Sequence, residues 1–182
     1  MLKLYNSLSR TVETFRPLRK GKVRLYTCGP TVYHFAHIGN LRTYIFEDVL
    51  ERALVWNGYT VRRVMNITDV GHLTGDDDFG EDKLEKGAAR EKKSVRSIAQ
   101  FYTKAFFRDL KKLNAKVPKL IAPATKFVKE QVNIIGRLMR KGLAYETGTA
   151  VYFDVQKYGL KKYLKLSRQS LQEKLVGARG EV

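Results

Sequence analysis

The chain of 182 residues has one cysteine and no long hydrophobic run. A single cysteine excludes a disulfide within the chain, which fits a reducing compartment. No apolar stretch approaches the roughly 20 residues that cross a bilayer, and Met1 to Asn6 lack the apolar core of a signal peptide. We therefore expect a cytoplasmic protein without a membrane-spanning segment.

Acidic residues are also scarce, with 18 Asp and Glu against 35 Lys and Arg, and the formal net charge is +17. A positive excess of this size attracts polyanions and speeds their encounter with the protein. RNA is the natural partner, and a basic surface that is merely well solvated is the alternative. The basic residues are spread along the chain, so the sequence does not locate an RNA footprint.

The first third of the chain predicts a strand, a helix and a second strand. Residues 23–28 alternate as a strand does, and Gly29-Pro30 ends it. Residues 40–57 predict a helix that Gly58 ends, and residues 59–68 predict the next strand. This order at this spacing is typical of a right-handed parallel βαβ unit. The helix prediction rests on apolar residues that recur every four positions, Leu41, Ile45, Val49 and Ala53, with Phe46, Leu50 and Leu54 beside them.

Polar residues gather where these strands end. Ligands of open α/β sheets bind beyond the carboxyl ends of the strands, and Cys28, His37, Asn40 and Thr68 all fall there. The start of a helix favours anions, Gly39 allows close backbone approach, and His37 and Asn40 offer hydrogen-bond donors three residues apart. This pattern predicts a nucleotide phosphate site. The alternative is a helix capped by Asn40 with a surface histidine beside it.

Beyond the second strand the chain predicts further helices and a hairpin. The acidic segment from Asp69 to Asp82 has oxygen ligands suited to calcium but not the EF-hand order. Another helix is predicted at about 125–141, followed by a hairpin of residues 143–146 and 150–155. Between them, a helix that Ser94 caps should bury one stripe of side chains, Ile98, Phe101, Tyr102, Ala105, Leu110 and Leu113.

The segment His37-Ile38-Gly39-Asn40 resembles the HIGH motif of class I aminoacyl-tRNA synthetases. Three blocks are similar, in order and spacing, to consecutive blocks of the cysteinyl-tRNA synthetase family: Leu4-Tyr5-Asn6-Ser7-Leu8-Ser9-Arg10, Tyr26-Thr27-Cys28-Gly29-Pro30-Thr31-Val32-Tyr33 and Asn66-Ile67-Thr68-Asp69-Val70. The resemblance extends to Gly177-Ala178-Arg179 and corresponds to the first part of that family's catalytic domain. It implies an α/β fold with a Rossmann-like parallel sheet. Residues 1–182 would form a single truncated catalytic domain, with about 1–115 as the first Rossmann half and about 116–182 as the start of an α-rich connecting insertion.

The resemblance also implies roles for individual residues. ATP would lie along Gly29, Thr31, His37, Gly39 and Asn40, with His37 and Asn40 as the catalytic contacts to its phosphates. The cysteine substrate would lie against Cys28 and Thr68. Cys28 would be the first zinc ligand, while the remaining zinc ligands are expected outside this chain. A free buried thiol at Cys28, and a Thr68 that only satisfies its own backbone, are the alternatives.

The predicted function is that of a cysteine–tRNA ligase, present as an N-terminal fragment whose activity alone is left open. Its partners would be ATP, cysteine and tRNA, and a separate chain that supplies the second catalytic half is one option. Two alternatives stay open. One is a non-catalytic basic fragment that binds RNA or a protein partner, and the other is the related ligase of mycothiol synthesis, which joins cysteine to an amino sugar.

Overall fold

The computed structural model describes residues 2–71, 83–148, 150–168 and 170. Gly177 to Arg179 and most of the acidic segment lie outside the described residues. The elements in chain order are β1 (Lys3–Asn6), β2 (Thr11–Thr14), β3 (Lys22–Thr27), α1 (Ile38–Trp56), β4 (Thr60–Ile67), α2 (Lys83–Glu91), α3 (Val95–Lys112), β5 (Leu120–Pro123), a 3-10 helix (Ala124–Phe127), α4 (Val128–Arg140), β6 (Ala144–Glu146), β7 (Val151–Phe153), α5 (Val155–Tyr158) and α6 (Leu160–Tyr163).

The chain divides into two compact units. Within the described residues, the sheet unit comprises those between Arg16 and Lys126, and the hairpin unit comprises Lys3–Phe15 together with those after Lys126. The boundary suggested by the sequence, near residue 115, falls before β5, which the structure places in the sheet unit. Four residues that end in proline give no recognisable strand signal, so the sequence pattern missed this strand. The assignment of these units to halves of a family domain stays a prediction.

The sheet unit is built on a parallel sheet in the order β3-β4-β5. Val23 pairs with Val61 in the first ladder, and Val64 pairs with Leu120 in the second. Helix α1 connects the first two strands, while α2 and α3 lie between β4 and β5 in the chain. The predicted βαβ unit is therefore confirmed, with each boundary within a few residues of its predicted place.

The core of the sheet unit lies among α1, α2, α3 and the sheet. The Oγ atom of Ser94 caps α3 by accepting a hydrogen bond from the Ser97 backbone N–H at 3.2 Å, as predicted. The predicted stripe of α3 is buried except at Phe101 and Leu113, which are exposed. The side chains that are almost completely buried in this core are Val32, Met65, Ile67, Leu84, Ile98 and Leu110.

The predicted apolar face of α1 is only partly buried. Leu54 is buried and Leu41, Leu50 and Ala53 are half-buried, as the pattern predicts, but Ile45, Phe46 and Val49 are exposed. Tyr44, Glu47 and Asp48, which the pattern did not select, are buried. The reason lies in β4, where the guanidinium of Arg63 is buried and its Nε lies 3.0 Å from a carboxylate oxygen of Glu51. Polar residues of α1 thus pack where the four-residue period of apolar residues indicated a hydrophobic contact.

The hairpin unit contains two antiparallel strand pairs. In the first pair Lys3 of β1 lies opposite Thr14 of β2, and in the second Ala144 of β6 lies opposite Phe153 of β7. The predicted hairpin that follows α4 is confirmed. Among the residues that the structure describes, no helix combines the length and apolar character needed to cross a membrane.

Candidate active site at the carboxyl ends of the strands

The chain that leaves β3 joins the end of β4 instead of turning away from the sheet. The backbone N–H of Thr68 donates to the Pro30 carbonyl at 3.0 Å, and the Val32 N–H donates to the Thr68 carbonyl at 3.2 Å. Thr31 and Thr68 therefore form a parallel bridge. Cys28, an exposed free thiol, directly follows β3. The structure thus brings Cys28, Thr31 and Thr68 to the same edge of the sheet.

The side chain of Asn66, near the end of β4, binds both this turn and Thr68. Its Oδ1 accepts hydrogen bonds from the Gly29 backbone N–H at 2.9 Å and from the Tyr26 hydroxyl at 3.1 Å. Its Nδ2 donates to Oγ1 of Thr68 at 3.3 Å. A side chain at Gly29 would overlap the backbone carbonyl of Asn66, so only glycine fits this close approach.

Helix α1 begins with reciprocal capping. His37 is the N-cap, and its Nδ1 accepts from the Gly39 N–H at 3.1 Å, while Oδ1 of Asn40 accepts from the His37 N–H at 3.2 Å. Because Nδ1 is an acceptor, the neutral imidazole carries its proton on Nε2. The Asn40 amide group likewise keeps its two N–H donors. The alternative in which Asn40 caps the helix differs from the structure, since the cap is His37.

A cavity of about 230 Å³ opens beside this helix start. Thr31, His37 and Asn40 line it, whereas Cys28, Gly29, Gly39 and Thr68 do not. Aromatic rings form much of its wall, and they were not among the predicted site residues. These rings are His34, whose plane lies 9° from that of Tyr102 with centroids 5.9 Å apart, and Tyr44, whose centroid lies 4.8 Å from that of Phe106.

Two groups of titratable residues border the cavity. Burial raises the pKa of Tyr44 to about 12, with smaller contributions from the charges of Glu47 and Cys28, so Tyr44 remains a neutral hydroxyl. At the junction of α2 and α3, the Tyr102 hydroxyl donates to Glu91 and lowers the pKa of that carboxyl. Arg90 donates to the Tyr33 carbonyl at 3.2 Å. This pair of helices thereby holds the segment that follows the turn.

The described residues do not form a metal centre on their own. A structural or catalytic zinc site takes three or four protein ligands, usually Cys, His, Asp or Glu. No group of three such side chains in the described part of the chain could hold an ion. Cys28 is the predicted zinc ligand among the site residues, so the other ligands would have to come from outside the described part of the chain.

Two solved structures share the fold. A LeuRS–tRNA–LeuAMS ternary complex from Agrobacterium radiobacter K84 matches with a TM-score of 0.57 and 23% identity, over 71% of this chain and 16% of that chain. A putative arginyl-tRNA synthetase from Campylobacter jejuni matches with a TM-score of 0.52 and 13% identity, over 79% of this chain and 39% of that chain. At these identities the likeness concerns the fold alone.

Curated relatives are much more similar in sequence. The cysteine–tRNA ligase of Treponema denticola is 48% identical over 100% of this chain and 36% of the relative. Cysteine–tRNA ligase 1 of Burkholderia lata is 52% identical over 94% of this chain and 37% of the relative. The chain thus spans little more than a third of the length of these relatives.

The family model described as the tRNA synthetases class I (C) catalytic domain matches residues 14–182. This match covers nearly the whole chain, and it agrees with the parallel sheet and with the fold of the two synthetase structures. The chain therefore belongs to the class I (C) tRNA synthetase catalytic-domain family.

Proposed function

We propose that the chain forms the nucleotide- and cysteine-binding first part of a cysteine–tRNA ligase, which activates cysteine with ATP and transfers it to cysteine tRNA. One observation carries the proposal. Cys28 and Thr68 lie at the carboxyl ends of β3 and β4, and the His37–Asn40 helix start lies between these strands in the chain, in a protein 48% identical to a cysteine–tRNA ligase. A non-catalytic fragment that binds RNA is the second candidate, favoured by the net charge of +17.

The start of α1 would bind the phosphates of ATP. The Nε2–H of His37 and the amide of Asn40 are donors, and the helix dipole adds positive potential at the same end. Attack of a carboxylate on the α-phosphate needs little acid–base catalysis, because positioning and charge stabilisation lower the barrier. A side chain at Gly39 would lie 3.0 Å from Cε1 of His37, so this glycine leaves room for the imidazole ring. Thr31 and Gly29 would flank the nucleotide.

Cys28 and Thr68 would face the amino acid. The Thr68 hydroxyl is suited to hydrogen bonding with the polar groups of cysteine. Zinc, when bound, favours a substrate thiolate over a hydroxyl, and Cys28 would supply one of its ligands. The other ligands would come from outside the described residues.

The remaining partners follow from the same proposal. They would be tRNA, in the cytoplasm, and the second catalytic half of the ligase. Phe46 and Val49 of α1 support such a protein surface, because the described residues leave these apolar side chains exposed.

Titration calorimetry with ATP tests the site. Asn40→Asp keeps an oxygen that can accept from the His37 N–H, and thus keeps the cap, but it loses the amide donors and adds a negative charge. We expect Asn40→Asp, and separately His37→Ala with Asn40→Ala, to weaken ATP binding about tenfold or more. Asn133→Ala, an exposed asparagine of α4, is the control that should bind as the unmodified chain does. Equal ATP affinity in all four proteins, or no binding by the unmodified chain, would overturn the proposal.

A further inference from the structure

Asn66 is the side chain that connects the two parts of the amino-acid side of the site. It is partly buried near the end of β4, and it was not among the residues selected from the sequence. Three hydrogen bonds involve its amide group, and each partner is a proposed substrate contact or lies within two residues of one. An asparagine that only filled space at a strand end would not need three such partners.

The bonds of Asn66 enclose Cys28 from both directions along the chain. Tyr26 lies two residues before Cys28, and Gly29 lies one residue after it, and both donate to the same Oδ1 atom. The carbonyl of Asn66 also packs against Gly29 so closely that no side chain fits there. The direction in which Cys28 leaves the sheet is therefore fixed by Asn66.

The bond to Thr68 has a definite polarity. Two donors approach Oδ1 of Asn66, so the amide must present Nδ2 to the Thr68 hydroxyl. That hydroxyl oxygen then accepts a hydrogen bond, and its own proton is left to be donated to another group. An acceptor on the ligand, such as a carboxylate oxygen, would meet a donor already oriented by the protein.

We propose that Asn66 is a positioning residue that fixes the Cys28–Gly29 turn and orients the Thr68 hydroxyl as a donor to the substrate. The substrate part of this inference rests on the proposed function. The positioning part is a property of this chain and can be measured without any ligand.

Amide hydrogen exchange followed by NMR measures the positioning. In Asn66→Ala the Gly29 amide loses its acceptor, and we expect its exchange to accelerate about tenfold or more while the Val32 and Thr68 amides stay protected. Asn66→Asp retains an acceptor oxygen and should restore slow exchange at Gly29. Asn57→Ala is the matched control, because Asn57 also bonds a backbone group, the Ala53 carbonyl at 2.8 Å, but away from the site. Unchanged exchange at Gly29, or equal acceleration at all three amides, would overturn the inference.

Titration of the labelled chain with L-cysteine tests the orientation of Thr68. In Asn66→Asp the carboxylate would accept a hydrogen bond from the Thr68 hydroxyl, which would then point its O–H away from the ligand. We therefore expect the affinity for cysteine to fall about fivefold in Asn66→Asp as well as in Asn66→Ala. The chemical shift of the Thr68 amide monitors the binding. Full cysteine affinity in Asn66→Asp would overturn this orientation. If the unmodified chain shows no shift with cysteine, the proposed substrate fails, and the Gly29 exchange still decides the positioning role.

Discussion

Charged side chains lie buried where α1 packs against β4. Arg63 is 2% exposed, and Glu47 and Asp48 are buried as well. Asp48 accepts from Arg52 at 2.7 Å and from the Lys116 backbone N–H at 3.0 Å, so its charge is compensated. Removal of one partner from such a contact leaves the other charge buried without compensation, which costs more than the pair contributes. Loss of a partner of Arg63 or of Asp48 should therefore destabilise the sheet unit.

Glu47 predicts how stability depends on pH. Burial raises its pKa, and this outweighs the effects of the neighbouring Thr27 hydroxyl and of the charge of Arg63, which lower it. A carboxyl group whose pKa is raised in the folded state stabilises the fold when it is protonated. This contribution is fully present at pH values below the ordinary pKa of 4.5 and is lost as the pH rises through the pKa of the folded state. At pH 7, Glu47→Gln should therefore have a free energy of unfolding up to about 1 kcal/mol higher than the unmodified chain. Urea titrations measure this gain in stability, which should be lost at pH 4.

The matched variant for this measurement is Glu51→Gln. It removes the carboxylate 3.0 Å from Nε of the buried Arg63, so we expect a loss of about 3 kcal/mol at pH 7. A loss of stability in Glu47→Gln at pH 7 would contradict the sign assigned to its pKa.

Part of the candidate site could be predicted at this scale. Cys28 and Thr68 follow strands, and His37 and Asn40 start a helix, so the local sequence signals of strand ends and helix starts were enough to select them. Asn66 could not be found in this way, since its role depends on a turn 37 residues earlier in the chain. Tyr102 was predicted as a core residue, which is correct, but its second role in the cavity wall depends on packing against His34.

Capping and glycine signals located the elements well. Helix α3 begins directly after Ser94, and α4 ends near Gly142, which has a positive φ of 64°. Such signals act over a few residues and can be read directly from the sequence. The face that a helix buries depends on the surface it meets, which explains why the buried face was predicted well for α3 and only in part for α1.

Ser94 offers a test of one such signal. Ser94→Ala removes the acceptor for the Ser97 N–H at the start of α3, and we expect a loss of about 1 kcal/mol in the free energy of unfolding. Ser97→Ala, in the exposed first turn of the same helix, should change stability by less than about 0.5 kcal/mol. Denaturant titrations of both variants measure the difference. Equal losses would mean that the Ser94 side chain does not stabilise the helix start.

At the scale of the whole molecule, the net positive charge is the property expected to determine how the chain binds tRNA. Because the chain of 182 residues has a net charge of +17, it should bind tRNA mainly through contacts to phosphates, which carry no sequence information. We expect the affinity for any tRNA to fall about tenfold or more between 50 and 200 mM salt. Filter binding with cysteine tRNA and an unrelated tRNA checks this. A strong preference for cysteine tRNA at physiological salt would contradict it.

The one tryptophan of the chain, Trp56, is 91% exposed at the end of α1, on the same side of the helix as Val49. The wavelength of indole fluorescence depends on the polarity around the ring, so an exposed Trp56 should emit at the wavelength typical of an indole in water. A protein surface that covers this side of α1 would move the indole out of water and shift its emission to the blue. The chain thus carries a built-in optical probe at the apolar face that the sequence pattern had assigned to the core.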